Sequence, residues 1–190
     1  MPKDRKQIIL QSLAKLLEER DATKITTAVL ASESGITEAA LYRHFPSKRS
    51  IFLELFTFCD ETIFQKVGKI KKEKDIGPEE KVRLIFFFYA IFLEKNKGFA
   101  RILSREALGP NEQNVIDAVN QFYERLELSI KQLLSSKKDS LKLTSGQSAH
   151  FITSIMEGII SRFIRNKFKE IPSNYIENYW ATISNSIFKS

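Results

Sequence analysis

The stretch "GITEAALYRHFPSK", Gly35 to Lys48, concentrates side chains that could hold a nucleic acid. At its start, Glu38 can accept a hydrogen bond from cytosine N4, and the methyls of Thr37 and Ala39 can touch a thymine methyl in the major groove. Thr27, Tyr42, His44 and Lys48 are candidates for phosphate oxygens, contacts that position a domain without reading sequence. Lys48 would be helped by the positive end of a following helix. Arg43 points outward with them.

Positioning these groups requires short, well-terminated helices. Thr26 or Thr27 can cap one, since a hydroxyl there accepts a bond from a free N–H of the first turn, and either then stands beside the proposed phosphate contacts. Gly35 ends that helix by supplying the positive φ of a C′ position. Thr37 caps the next through about Phe45, and Pro46 stops it by removing a donor and restricting the residue before it. Ser47 caps a fourth helix. A first helix, Arg5 to Arg20, carries Ile9, Leu13, Leu16 and Leu17 on one apolar stripe. Helices two and three are too short to stand alone and are joined by a tight turn, the pattern of a helix-turn-helix. Leu30, Ala31, Ile36 and Leu41 are expected to pack inward. Capped short helices with solvated cations also occur in ordinary helical domains, so the pattern by itself leaves that reading open.

Other chemistry has little support. Cys59 is the only cysteine and has no histidine near it in sequence, while His44 and His150 are the only histidines, so no catalytic or metal-ligand spacing arises. Neither an enzyme nor a cofactor is expected. The net charge of +7 suits a polyanion, nucleic acid or an anionic membrane face. With one cysteine and no secretory h-region in "MPKDRKQIIL", a cytoplasmic location is expected. The run "LIFFFYAIFL", Leu84 to Leu93, is shorter than the ~20 residues of a membrane span and reads as a fully buried helix.

Only seven Gly and five Pro punctuate the 190 residues, 43% of them apolar, which predicts an all-α protein. "KKEKDIGPEE" precedes a fifth helix opened by Pro78 with Glu79 and Glu80 in its first turn. Further helices are expected near Phe99 to Leu108, Glu112 to Leu134, Ser145 to Lys169 and Ser173 to Phe188, divided by "GPN", "SSKKDSLKLTSG" and Pro172. Ser154, Gly158 and Ser161 recur on one face, and Ile176, Tyr179, Trp180, Ile183 and Ile187 form a second stripe. These could build a four-helix dimer interface that spaces two recognition helices on a palindrome, or could pack within one chain.

"ITTAVLASESGITEAALYRHFPSKRSIF" resembles the N-terminal domain of the TetR family. That resemblance implies an all-α homodimer of about nine helices. Residues 1–50 would form a three-helix helix-turn-helix domain and 51–190 a helical core for partner binding and dimerisation. Through "ILQSLAKLLE", "ARILSREAL" and "EGIISRFIRNKFK" the chain is similar to the nucleoid-occlusion group of that family. This implies a nucleoid-associated dimer on palindromic double-stranded DNA that binds the C-terminal tail of FtsZ and opposes septum assembly. Carried over by position, Phe58 and Phe88 would be the apolar tail contacts and Lys66, Lys95 and Asn96 the polar ones, in a groove between helices four and five. Phe58, Thr62 and Lys66 fall at i, i+4 and i+8, which allows an anchor and a cation on one face, although Phe58 could equally be core. The alternative function is a ligand-responsive transcriptional repressor, which shares every DNA-facing residue.

Overall fold

The computed structural model describes residues 4–19, 24–108 and 112–189. Among them are nine α-helices: α1 Arg5–Glu19, α2 Thr27–Glu33, α3 Glu38–His44, α4 Lys48–Lys72, α5 Pro78–Lys95, α6 Lys97–Leu103, α7 Gln113–Ser135, α8 Ser145–Arg165 and α9 Ile176–Ile187. One isolated antiparallel bridge, Leu141 to Phe188, is the only β pairing among these residues. The all-α expectation holds, and α5 begins at Pro78 as the Pro-Glu-Glu opening implied. Arg20 and the "GPN" break at 109–111 lie outside the described residues.

Several boundaries differ from the sequence reading. Helix α6 starts two residues early, at Lys97, and stops at Leu103. The Ser104 hydroxyl there turns back onto the Arg101 carbonyl at 3.0 Å, and Arg105 takes a positive φ of 63°. Helix α8 ends at Arg165, followed by left-handed Lys167 and Phe168. Two successive non-glycine residues at positive φ cannot extend a right-handed helix. Pro172 opens a 3-10 turn, so α9 begins only at Ile176.

The chain packs as two compact units. The first runs to Glu61 and resumes at Asn96–Val119, which reaches beyond the residue-50 boundary read from sequence. Its core joins Ile9, Leu13, Leu16 and Leu17 of α1 to Leu30, Leu41, Phe52, Phe99 and Ile102, all nearly without exposure. A glycine explains how α6 reaches this core. A Cβ on Gly98 would lie 2.5 Å from the Ala14 carbonyl oxygen, so α6 rests on the α1 backbone where no other residue fits.

The second unit comprises Thr62–Lys95 and Asn120–Ser190. Large aromatics fill it. Tyr89 stacks on Phe122 at 6.5 Å between ring centroids, Phe64 meets Phe122 edge-on at 5.5 Å, and Phe86 meets Trp180 at 5.9 Å. Tyr89 is completely enclosed, its hydroxyl 3.1 Å from that of Tyr123, and burial pushes its pKa well above the ordinary phenol value. The "LIFFFYAIFL" helix is not buried all round, as its composition suggested. Leu84, Phe87, Phe88, Ile91 and Phe92 are half-buried, whereas Ile85, Phe86, Tyr89, Ala90 and Leu93 form the buried side. An apolar run ten residues long has no polar position to show which face is outward, so periodicity could not separate the two.

Candidate nucleic-acid interface

Local hydrogen bonding fixes α3 and its neighbours. Thr26, extended at φ −92°, caps α2 by accepting from the Val29 N–H at 3.2 Å. At the other end the Gly35 N–H reaches the Ser32 carbonyl at 3.1 Å and the Ile36 N–H reaches the Ala31 carbonyl at 3.0 Å, with Gly35 at φ +66°. This is a Schellman ending, which only a residue tolerant of left-handed φ closes cheaply. Two residues later Thr37 caps α3, accepting from the Ala40 N–H at 3.2 Å. Phe45 is extended, as a residue before proline must be, and Pro46 ends the element. Ser47 then opens α4 in a reciprocal pair: the Ser50 N–H donates to the Ser47 hydroxyl at 3.1 Å, and the Ser47 N–H donates to the Ser50 hydroxyl at 3.2 Å.

The buried side of this unit is Leu30, Ala31 and Leu41, while Ile36 is only half-buried. Thr26, Thr37, Glu38, Ala39, Tyr42 and Arg43 are exposed, and Thr27, His44 and Lys48 are half-buried at its edge. Thus the DNA-facing candidates named from sequence occur together at the accessible side of α2, α3 and the start of α4. Lys48 sits in the first turn of α4 with its ammonium 5.3 Å from the Phe52 ring centroid. A cation and the positive end of a 25-residue helix therefore coincide.

Sequence reasoning missed how these side chains hold one another. The Thr27 hydroxyl donates a short bond to the Glu38 carboxylate, and the Tyr42 hydroxyl donates to Thr27 at 3.3 Å. The network ties α2 to both ends of α3, so Glu38 and Tyr42 are pre-oriented before any ligand arrives. Thr27 and Glu38 are 11 residues apart across a turn. No periodicity rule brings such a pair together. Lys15 of α1 adds a tether to Glu33 of α2 at 2.8 Å.

The other candidates separate. Phe58 and Asn96 belong to the first unit, and Lys66, Phe88 and Lys95 to the second. Phe58 is 65% exposed, which excludes the core reading left open for it. Lys66 and Lys95 are exposed, Phe88 and Asn96 half-buried. Ser154, Gly158 and Ser161 lie exposed along α8. Ile176, Trp180 and Ile183 require a correction. They are buried inside their own chain, Trp180 against Phe86, so they have little surface left to give to a second copy. The outward side of α9 is Glu177, Asn178, Ala181, Thr182 and Asn185 instead. Cys59 is 5% exposed and burial pushes its thiol up to about 12, the opposite of an activated nucleophile. Among the described residues no His, Cys, Asp and Glu group could hold a metal ion, and no helix is long and apolar enough to cross a membrane.

A family model for "Bacterial regulatory proteins, tetR family" matches residues 9–55, and one for "Tetracyclin repressor-like, C-terminal domain" of the SlmA-like type matches residues 79–188. The chain belongs to the TetR family. Among the relatives of this TetR-family chain is the nucleoid occlusion factor SlmA of Vibrio cholerae serotype O1. It is 38% identical over 190 residues, covering 97% of this chain and 96% of the relative. The protein of the same name from Marinobacter nauticus is 35% identical with the same coverage. Among solved structures, NalD of Pseudomonas aeruginosa, a repressor of a multidrug efflux pump, superimposes with a TM-score of 0.82 at 15% identity over 98% of each chain. The transcriptional regulator FadR of Bacillus subtilis, solved in complex with stearoyl-CoA, gives 0.74 at 16% identity, covering 95% of this chain and 98% of that one. These two matches establish the fold. The SlmA relatives share nearly the whole length of the chain.

Proposed function

We propose that this protein is a nucleoid-occlusion factor: a homodimer that holds a DNA palindrome through α3, binds the C-terminal tail of FtsZ, and prevents division-septum assembly over the chromosome. The observation that carries the reading is the 38% identity to SlmA running through 97% of the chain, together with the SlmA-like match over residues 79–188. A shared helix-turn-helix alone would fit any TetR regulator. The accessible α2–α3 surface supports the DNA half, with Thr37, Glu38 and Ala39 reading bases and Thr26, Thr27, Tyr42, Arg43, His44 and Lys48 positioning the backbone. The exposed Phe58 supports the partner half, because an aromatic left in water is a ready anchor for another chain. Asn96 in the same unit, and Phe88, Lys66 and Lys95 in the other, are the remaining tail contacts. The exposed Ser154, Gly158 and Ser161 of α8 form the dimer seam. The cytoplasmic nucleoid is then the place of work.

The test is binding of a labelled FtsZ C-terminal tail peptide to the full chain, with and without its selected DNA site. Saturable binding that strengthens with DNA is expected. Absence of binding in both conditions sinks the division reading and leaves a DNA-binding regulator.

A further inference from the structure

A groove of about 920 Å³ lies wholly within the first unit, between α1 and α4, with Gly98 and Phe99 of α6 on its floor. Its walls are apolar in a strip: Leu10 and Ala14 from one helix, Leu53 and Phe58 from the other. Its rim is acidic. Glu54, Phe58 and Glu61 fall at i, i+4 and i+7 on α4, so the most exposed aromatic of the chain stands between two carboxylates on one helix face. Asp4, immediately before α1, and Glu18 near its end mark the two ends, roughly 21 Å apart at about 1.5 Å per residue. Lys6 is the single cation of the lining and is already paired with Glu54 at 3.7 Å.

This local sign opposes that of the whole chain, which carries +7. We infer that the α1/α4 groove docks a basic, amphipathic peptide segment of a protein partner, its apolar side chains against Leu10, Ala14 and Phe58 and its flanking lysines or arginines on Glu54, Glu61, Asp4 and Glu18. The length between the terminal carboxylates suits six or seven extended residues at about 3.3 Å each. A positive segment is disfavoured over most of this molecule and favoured here, which gives the site its selectivity. DNA, a polyanion, is repelled from the same rim, so the groove stays available while α3 is engaged. The inference goes beyond the division reading, whose cationic contacts Lys66 and Lys95 belong to the other unit, but it shares Phe58 and Asn96 with it.

The experiment therefore measures both. Two fluorescein-labelled nine-residue probes, one alternating lysine and leucine around a central phenylalanine and one with glutamate for lysine, are titrated into the full chain by anisotropy beside the FtsZ tail peptide. The basic probe should bind about tenfold tighter than its acidic copy at low salt. Glu54→Lys with Glu61→Lys should invert that preference, and Phe58→Ala should weaken the basic probe; all three sites are exposed, and a thermal melt checks that folding is kept. Equal binding of the two probes, or a preference unmoved by the double reversal, overturns the groove. If the basic probe behaves as expected and the tail does not bind, the division reading alone fails. If the tail binds and the reversal moves neither probe, the groove alone fails.

Discussion

The two units hold themselves together by different means. In the second, helices of 18 to 23 residues bury aromatic faces, and Phe86, Tyr89, Phe122 and Phe163 are closed off almost completely. In the first, α2 and α3 have seven residues each, too few to be stable alone. They persist because Thr26, Thr37 and Gly35 satisfy their ends and because Leu30 and Leu41 dock on α1. One region thus stores its stability mainly in packed aromatic area. The other depends on individual hydrogen bonds and backbone approaches, and can present a polar surface for that reason. The same substitution type should therefore have opposite readouts in the two places.

The largest expected effect is Phe122→Ala, which leaves a cavity where Phe64 and Tyr89 now meet the ring. A cost of about 3–5 kcal/mol in chemical denaturation is expected. The salt dependence of DNA binding should be unchanged at temperatures where the variant is folded. Next is Gly98→Ala, whose new methyl meets the Ala14 carbonyl at 2.5 Å and forces α6 away from α1, at about 1–3 kcal/mol. That cost should appear in the first unit, as faster hydrogen exchange of α1 and α6 amides. Equal acceleration of α8 amides would mean that the units do not differ as described. Gly35→Ala should follow at about 1–2 kcal/mol, the cost of placing a Cβ at φ +66°.

Smaller again in stability, but large in function, are Thr27→Ala and Lys48→Ala. Lys48→Ala should reduce the slope of log affinity against log salt by about 0.9 on duplex DNA if it removes one neutralised phosphate, whereas Thr27→Ala, which removes an uncharged hydroxyl, should weaken binding with the slope unchanged. Melting should barely move for Lys48→Ala. For Thr27→Ala it should fall slightly, because the network joining Glu38 and Tyr42 is lost. An unchanged slope for Lys48→Ala, or an unchanged affinity for Thr27→Ala, would remove that residue from the interface.

What could be read in the sequence was the punctuation. Thr26, Gly35, Thr37, Pro46, Ser47 and Pro78 act on the backbone within a few residues of themselves, so their types announce the helix ends. Inward-facing Leu13, Leu16 and Leu41 were legible for a similar reason, since polar neighbours define their stripes. Long-range partners were not. Gly98 looks like a weak point of a helix until Ala14 is brought beneath it, and Thr27 reveals its Glu38 bond only once the turn is closed. The stripe of Ile176, Trp180 and Ile183 was equally compatible with a partner chain or with α5, because an apolar face does not name what covers it. The acidic α1/α4 rim was hidden likewise, its carboxylates being divided between segments 36 or more residues apart in sequence.

The smallest expected effect tests the second unit from its surface. Glu80 and Arg83, one turn apart at the start of α5, form two hydrogen bonds of 2.8 Å each. The guanidinium holds the Glu80 carboxyl below its ordinary value. A carboxylate lowered in the folded state contributes stability above its unfolded pKa of about 4.3 and loses it as pH falls through the folded value. Glu80→Gln should therefore destabilise at neutral pH and become indistinguishable from the parent in acid, below both values. Both side chains are substantially exposed, 40% for Glu80 and 30% for Arg83, so solvent screening keeps the difference under about 1 kcal/mol. Denaturation curves of the two proteins at pH 7 and in strong acid measure it. A gap that persisted in acid would mean that Glu80 acts through packing or through its neutral hydrogen bonds, and that even the surface of this unit follows the area-based logic of its core.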